Sequence, residues 1–302
     1  MTQKQAPRRL GIQEPDSLDL YGGLSGLSLE PNHFELGQGL VVSVTYAHLF
    51  SHFVMAFAPA PPGKPHPGPW KPATGSGAEI DVTAELFVPR TCNCRYFDNL
   101  NLIWWIVALL RLRAATSIYV PVVSSHSFST ILSIQEQPLL RTMEVRGLPL
   151  RAEEQVNSRV GIQELEWVKA HWQPASALLS DRDFHTAFDA VDFSKWHSSP
   201  QLALLALWGA LERLFSPSAQ ELRFRVSANI ASYLENRGPE RQTLFKRITK
   251  LYDLRSAAAH GTGEFDIAPY QETYAIARRV LLRMIETTHV PTKAEQESSL
   301  FS

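Results

Sequence analysis

Residues 251–261 read LYDLRSAAAHG and contain an arginine and a histidine that could form part of an active site or belong only to the last turn of a helix. The guanidinium of Arg255 can bind an anion through its N–H groups, and the imidazole of His260 can exchange a proton near pH 7. Four residues separate the two. Arg283 and His289 repeat the pattern with five residues between them, so the spacing alone does not distinguish an active site from coincidence.

The surroundings of Arg255 are more informative than the spacing. Leu244, Ile248 and Leu251 precede it at intervals of four, three and four residues, which places all four side chains on one face of a helix. An inward-facing guanidinium without a partner costs several kcal/mol, so a carboxylate or a bound anion is expected beside it. Glu212 is the one acid in the apolar helix predicted for 200–215. We therefore predict that Glu212 and Arg255 interact.

The position of His260 depends on where the same helix ends. Residues five apart on a straight α-helix differ by about 140° in direction, so His260 and Arg255 converge only if the helix stops. Gly261 suits a left-handed cap, and we predict that the helix ends there. His260 then lies at a helix C-terminus, where the dipole favours its protonated form. The alternative is that both residues only stabilise the last turn of a helix, a common role for these residue types.

Further basic residues lie near this segment. Residues 201–290 contain twelve basic and nine acidic side chains, and a local basic face can follow a nucleic-acid backbone. The candidates for RNA contact are Arg241, Lys246, Arg247 and Lys250. The alternative is a solvated helix face without a ligand.

Bulk composition narrows the class of protein. The chain has 302 residues, 44% hydrophobic content and a formal charge of −1, so any attraction to nucleic acid must come from a local patch. The longest apolar run, 102–110, has nine residues where a membrane span needs about 20, so we expect no membrane partner and no leader segment. Cys92 and Cys94 form neither a disulfide framework nor a four-ligand zinc site. We predict a cytoplasmic protein with no metal and no cofactor.

The first half of the chain shows mostly strand patterns. Residues 1–35 are rich in glycine and proline and are expected to be irregular. Residues 36–150 are predicted to form a mixed α/β domain. Its predicted elements are one or two strands within 40–58, strands at 79–89 and 118–123, and a buried helix at 97–113.

The second half shows almost only helix patterns, so the fold class predicted for the whole chain is α+β. Residues 160–290 are expected to form an all-α helical bundle and residues 291–302 a flexible tail. The predicted helices of the bundle are 161–173, 182–192, 200–215, 219–235, 240–260 and 268–287.

Three segments of this bundle resemble the ApeA-like branch of the HEPN superfamily. They read ALWGALERLF at 206–215, RFRVSANIASYL at 223–234 and KRITKLYDLRSAAAHG at 246–261. The family signature combines a tyrosine ahead of an Arg-Ser pair with a His-Gly pair four residues later. The residues that match it are Tyr252, Arg255, Ser256, His260 and Gly261, and Glu212 matches the acid of the central helix.

The resemblance implies a HEPN helical bundle and a metal-independent endoribonuclease that acts as a homodimer in a prokaryotic defence or toxin system. Arg255 and His260 would be catalytic, with Glu212, Ser256 and Tyr252 in support. RNA, including tRNA, would be the substrate, and cleavage would leave a 2′,3′-cyclic phosphate. The N-terminal domain would sense a trigger ligand or protein, or select the substrate.

One position departs from the related toxins that are controlled by AMP transfer. Those proteins have a tyrosine two residues after the histidine, whereas this chain has Thr262. That mode of control is therefore not expected here. The alternative function is a non-catalytic HEPN module that binds RNA or a partner protein, with Glu212 and Arg255 serving only as a structural pair.

Overall fold

The protein is described by a computed structural model and has a mixed α+β architecture, with a six-stranded antiparallel sheet and eight α-helices in the described part of the chain. The structure describes residues 18–50, 53–56, 62–63, 71–74, 79–135, 138–143, 159–197, 199–216, 221–259 and 266–301.

The main sheet has the strand order β3-β4-β7-β1-β8-β9, and every neighbouring pair in it is antiparallel. Two further strand pairs lie outside it, β5 with β6 and β2 with β10. The strand bounds are β1 Leu20–Ser25, β2 Ser28–Leu29, β3 His33–Gly37, β4 Leu40–Phe50, β5 Phe53–Ala56, β6 Lys71–Thr74, β7 Glu79–Val88, β8 Tyr119–Ser124, β9 Leu140–Thr142 and β10 Arg159–Val160.

Strand β1 corrects the expectation of an irregular segment at 1–35 for its described part, residues 18–35, while residues 1–17 lie outside the described residues. It lies between β7 and β8 in the middle of the sheet. Its glycines are required by packing, because a Cβ on Gly22 would lie 2.7 Å from Cγ2 of Ile103 and one on Gly23 would lie 2.9 Å from the ring of Phe128. The glycine pair therefore permits close approach on both faces of a central strand and does not mark a turn.

The helices agree closely with the sequence prediction, and those predicted at 200–215 and 268–287 have the same bounds in the structure. Ser199 caps the first of these, and Pro200 follows at the first helical position. The helix bounds are α1 Asn99–Ala114, α2 Ile162–Ala175, α3 Arg182–Ser194, α4 Pro200–Phe215, α5 Leu222–Leu234, α6 Pro239–Ala259, α7 Ala268–Thr287 and α8 Lys293–Phe301, with a 3₁₀ turn at Ser176–Ser180.

Helix α1 lies between the sheet and the helical bundle. It contacts β1, β7 and β8 on one side and α2, α3 and α7 on the other, which explains why its apolar run is buried all round. The indole N–H of Trp105 donates to the carbonyl of Trp172, 2.7 Å away, and that of Trp172 donates to the carbonyl of Leu36, 3.0 Å away. A single hydrophobic core therefore extends from the sheet through α1 into the bundle.

Helix α8 corrects the expectation of a flexible tail at 291–302. Thr292 and Glu295 form a capping box, in which the Glu295 carboxylate accepts a hydrogen bond from the backbone N–H of Thr292 at 2.7 Å. These bonds, together with His289, lower the pKa of Glu295 to about 2. Gln296 is buried and donates to the carbonyl of Leu214, 2.9 Å away. The segment is therefore a capped helix that packs on the bundle.

Two buried cations, Arg111 and Lys195, connect the end of α1 and the turn after it to the helical bundle. Arg111 donates to both carboxylate oxygens of Asp192 on α3, at 2.6 and 2.9 Å, and to the carbonyl of Ile118. Lys195 donates to the carbonyl of Thr116 at 2.6 Å. Charge-assisted bonds thus satisfy backbone carbonyls in the turn that follows α1.

Lys195 is expected to make stability depend on pH. Burial lowers its pKa to about 7, although the charge of Asp192 opposes the shift. Above pH 7 the unfolded chain keeps this lysine protonated while the folded chain releases the proton, so its contribution to the free energy of unfolding rises with pH. We expect the free energy of unfolding to rise from pH 7 to pH 9 more in the native protein than in Lys195→Met, measured by urea denaturation. Equal rises would contradict the assignment.

None of the described helices is long and apolar enough to cross a membrane.

Candidate active site

Three side chains meet where α4 passes the last turns of α6. The Oε1 atom of Glu212 lies 3.2 Å from Nη2 of Arg255. The same Nη2 donates to Oε2 at 3.3 Å, and the Tyr252 hydroxyl donates to Oε1 at 2.8 Å. The predicted contact between Glu212 and Arg255 is confirmed.

Aromatic packing holds the cluster in place. Trp208 is buried on α4, and its ring meets that of Tyr252 edge to face with centroids 5.1 Å apart. The guanidinium carbon of Arg255 lies 5.4 Å from the centroid of the Tyr252 ring. Tyr252 therefore orients both charged partners, through its hydroxyl on Glu212 and its ring on Arg255.

The cluster lies at the boundary between core and solvent. The side chains of Arg255 and Glu212 are 28% and 20% exposed, so Arg255 is less buried than its apolar stripe predicts. Its Nε atom is buried and has no hydrogen-bond partner among the described residues. The described contacts of the guanidinium use Nη2, so within the described part of the chain its other N–H donors have no partner, and such donors can bind a second anion such as a phosphate.

The Tyr252 hydroxyl acts as a donor at neutral pH. Desolvation raises its pKa, and the hydrogen bond to Glu212 and the charge of Glu212 raise it further, while Arg255 lowers it. A phenol with a raised pKa stays protonated, so Tyr252 is suited to positioning the carboxylate and not to removing a proton from a substrate.

His260 and Gly261 lie outside the described residues, so the predicted cap at Gly261 stays a prediction. Helix α6 is described through Ala259, and His260 follows it directly in the chain. Ser256 occupies the position after Arg255 and is exposed. The structure thus brings together Glu212, Tyr252 and Arg255. Tyr252 and Arg255 precede His260 in the chain by eight and five residues.

The four residues predicted to contact RNA do not lie beside Arg255. Lys246 and Lys250 are exposed, but they precede Arg255 by nine and five positions, which turns them about 180° and 140° away on α6. Arg247 forms an ion pair with both carboxylate oxygens of Glu272 on α7. Arg241 is fourteen positions away, about 21 Å along the helix axis. RNA contact by these residues stays a prediction.

Exposed apolar residues on α4 and α6 were not anticipated from the sequence, in which 200–215 was predicted only as an apolar helix. Leu202 is 54% exposed, and Gly209 on the same face of α4 is also exposed. Leu254, the neighbour of Arg255 on α6, is 38% exposed. The sequence places positions 202 and 209 on one stripe, two helical turns apart, but in a helix that is apolar nearly throughout it gives no signal that this stripe is the exposed one.

No group of three or more histidine, cysteine or acidic side chains among the described residues is arranged to hold a metal ion. No family model, no curated protein and no solved structure matches this chain.

Proposed function

We propose that the protein is a HEPN-type endoribonuclease that cleaves RNA, including tRNA, without a metal or cofactor. The observation that supports it best is the contact of Glu212 and Tyr252 with Arg255, directly ahead of His260. This cluster contains three of the residues that carry the family resemblance, and the Nε atom of Arg255 has no hydrogen-bond partner among the described residues. In this proposal the protein acts in a prokaryotic defence or toxin system, and a trigger acts on its N-terminal half.

The proposed reaction is an in-line transesterification at phosphorus. The ribose 2′-oxygen loses its proton to His260 and attacks the phosphorus, the bond to the 5′-oxygen breaks, and the leaving oxygen receives a proton. The products are a 2′,3′-cyclic phosphate and a 5′-hydroxyl. Arg255 binds the phosphate and stabilises the charge that develops on its oxygens. Ser256, exposed beside it, adds a hydrogen bond to the same phosphate.

A homodimer completes the site in this proposal. One histidine does not readily remove the first proton and supply the second in the same step, whereas two copies of His260 facing one cleft can divide these roles. Leu202 on α4 and Leu254 on α6 are exposed apolar residues, and exposed apolar patches commonly mark contact surfaces between chains. Gly209 on the same face of α4 would allow two helices to approach closely.

The dimer is tested by placing a charge on this surface. Leu202→Glu is expected to shift the protein from dimer to monomer, because an unpaired carboxylate in an apolar interface costs several kcal/mol. Light scattering at matched concentrations measures the change, and the thermal midpoint should stay near that of the native protein because position 202 is exposed. A native protein that is monomeric at high concentration would contradict the composite site.

The reaction is tested by the chemistry of its products. Purified protein is incubated with total tRNA in the presence of EDTA, and the fragment ends are analysed. The proposal expects 2′,3′-cyclic phosphate ends and 5′-hydroxyl ends. Fragments with 5′-phosphates, or cleavage that EDTA abolishes, would contradict metal-independent transesterification.

The second candidate function is a non-catalytic module that binds RNA or a partner protein. It is favoured by the pairing itself, because Glu212 already neutralises Arg255 and the pair could serve only to join α4 to α6. The two functions differ in their dependence on His260. Binding of RNA without cleavage, unchanged in His260→Ala, would support the module.

A further inference from the structure

A surface cavity of about 690 Å³ lies at the other end of α6 from Arg255. It is bounded by α5, the turn between α5 and α6, the first turns of α6 and the end of α8. Its volume is within the range of small-molecule sites in proteins, about 300–1,000 Å³. Position along α6 separates it from the Glu212 cluster, so it is a distinct site.

The walls of the cavity are mainly apolar. Phe224 and Phe245 meet edge to face with centroids 5.7 Å apart, and Phe224 is exposed although it is a large apolar side chain. Ala228 and Ala231 leave a shallow trough along α5, and Phe301 of α8 is exposed at its edge. A concave apolar surface left open to water in this way favours an apolar ligand.

The charged side chains that line the cavity in the described part of the chain are positive. Arg237 and Arg241 line it, and no acidic residue does so within the described part of the chain. Arg241 is held by bonds from Nε to the carbonyl of Glu235 at 3.0 Å and from Nη1 to the carbonyl of Ser299 at 3.2 Å. Its Nη2 atom has no hydrogen-bond partner among the residues that the structure describes, so these donors can bind an anion, and the fixed guanidinium needs little further ordering to do so.

The cavity has few neutral polar groups. This favours an anion that carries an alkyl chain over an anion that carries a nucleobase. In the described part of the chain, the polar uncharged side chains that line it are Ser232 and Gln242, and the hydroxyl of Ser232 already donates to the carbonyl of Asn229 at 3.1 Å. A nucleobase would leave several edge donors and acceptors unpaired in such a site. An alkyl chain has no such groups to satisfy.

We propose that this cavity binds a medium- or long-chain aliphatic carboxylate, with the chain in the trough along α5 and the carboxylate at Arg237 and Arg241. The ligand combines the apolar body that the phenylalanine and alanine side chains accommodate with the single negative charge that the two guanidinium groups attract.

The test is calorimetric titration of the full chain with dodecanoate below its micelle-forming concentration, beside dodecanol and AMP. Dodecanoate is expected to bind, and to bind more tightly than either comparison ligand. Absence of dodecanoate binding, equal affinity for dodecanol, or tighter binding of AMP would each overturn the proposal.

Two variants and a control locate the site. Arg237→Gln removes an exposed cation and should weaken dodecanoate binding about threefold, while Ala228→Phe fills the trough and should weaken it about tenfold or more. Arg182→Gln alters an exposed arginine on α3 that does not line the cavity and should leave the affinity unchanged. Thermal midpoints close to that of the native protein establish that each variant is folded. Equal losses in all three, or none in the two cavity variants, would place binding elsewhere.

Discussion

Replacing Arg255 with glutamine is expected to lower the rate of RNA cleavage by about 10²–10³-fold, the usual cost of removing a donor that stabilises transition-state charge. Glutamine keeps some hydrogen-bonding capacity but removes the positive charge. Arg255 is 28% exposed, so the substitution leaves the core intact, although Glu212 loses its ion-pair partner. The measurement is the single-turnover rate on tRNA, together with the thermal midpoint of each protein.

Substituting a residue that contacts Arg255 helps to distinguish a catalytic role of Arg255 from a structural one. Tyr252→Phe removes the hydroxyl that donates to Glu212 at 2.8 Å but keeps the ring that packs on Trp208 and Arg255. It is expected to lower the cleavage rate about tenfold through looser positioning, with little loss of stability. If Arg255→Gln cleaved RNA at the native rate, or if its loss of activity matched a fall in stability, Arg255 would be structural.

Replacing Asp192 with alanine is expected to lower the free energy of unfolding by about 3–5 kcal/mol, because it leaves the charge of Arg111 buried without its carboxylate. The side chains of Arg111 and Asp192 are only 2% and 3% exposed. Their bidentate contact joins α1 to α3, and so links the layer beside the sheet to the bundle. Urea denaturation followed by tryptophan fluorescence measures the change.

A second ion pair on α3 provides the matched control. Asp183 accepts from Arg213 at 2.6 Å, but both side chains are largely exposed. Asp183→Ala should therefore change the free energy of unfolding by at most about 1 kcal/mol. Similar losses in the two variants would show that burial does not determine the strength of the Arg111 pair.

Local patterns in the sequence predicted the helices and one tertiary contact. The cap Ser199 and the first residue Pro200 of α4, and the apolar period of α6, define elements that do not depend on the rest of the chain. The Glu212 to Arg255 contact followed because a buried charge needs a partner and α4 holds a single acid. The need of a buried charge for a partner was therefore sufficient to predict this contact between α4 and α6.

Features that depend on distant partners were not predicted. Strand β1 contains two glycines, a pattern that is common in turns. The close packing of Ile103 and Phe128 against them is visible only in the structure. Arg111 and Asp192 are separated by 81 residues in the chain, and no local pattern relates them. Helix α8 differs, because its Thr292 to Glu295 capping box was readable in the sequence and was overlooked.

Cleavage of tRNA by the native protein and by His260→Ala, at equal concentration and in EDTA, tests the central claim most directly. The proposed mechanism predicts 2′,3′-cyclic phosphate fragments with the native protein and a rate about 10²–10⁴-fold lower with the variant, the usual contribution of a general acid or base. Equal amounts of cleaved RNA in the two samples would contradict it.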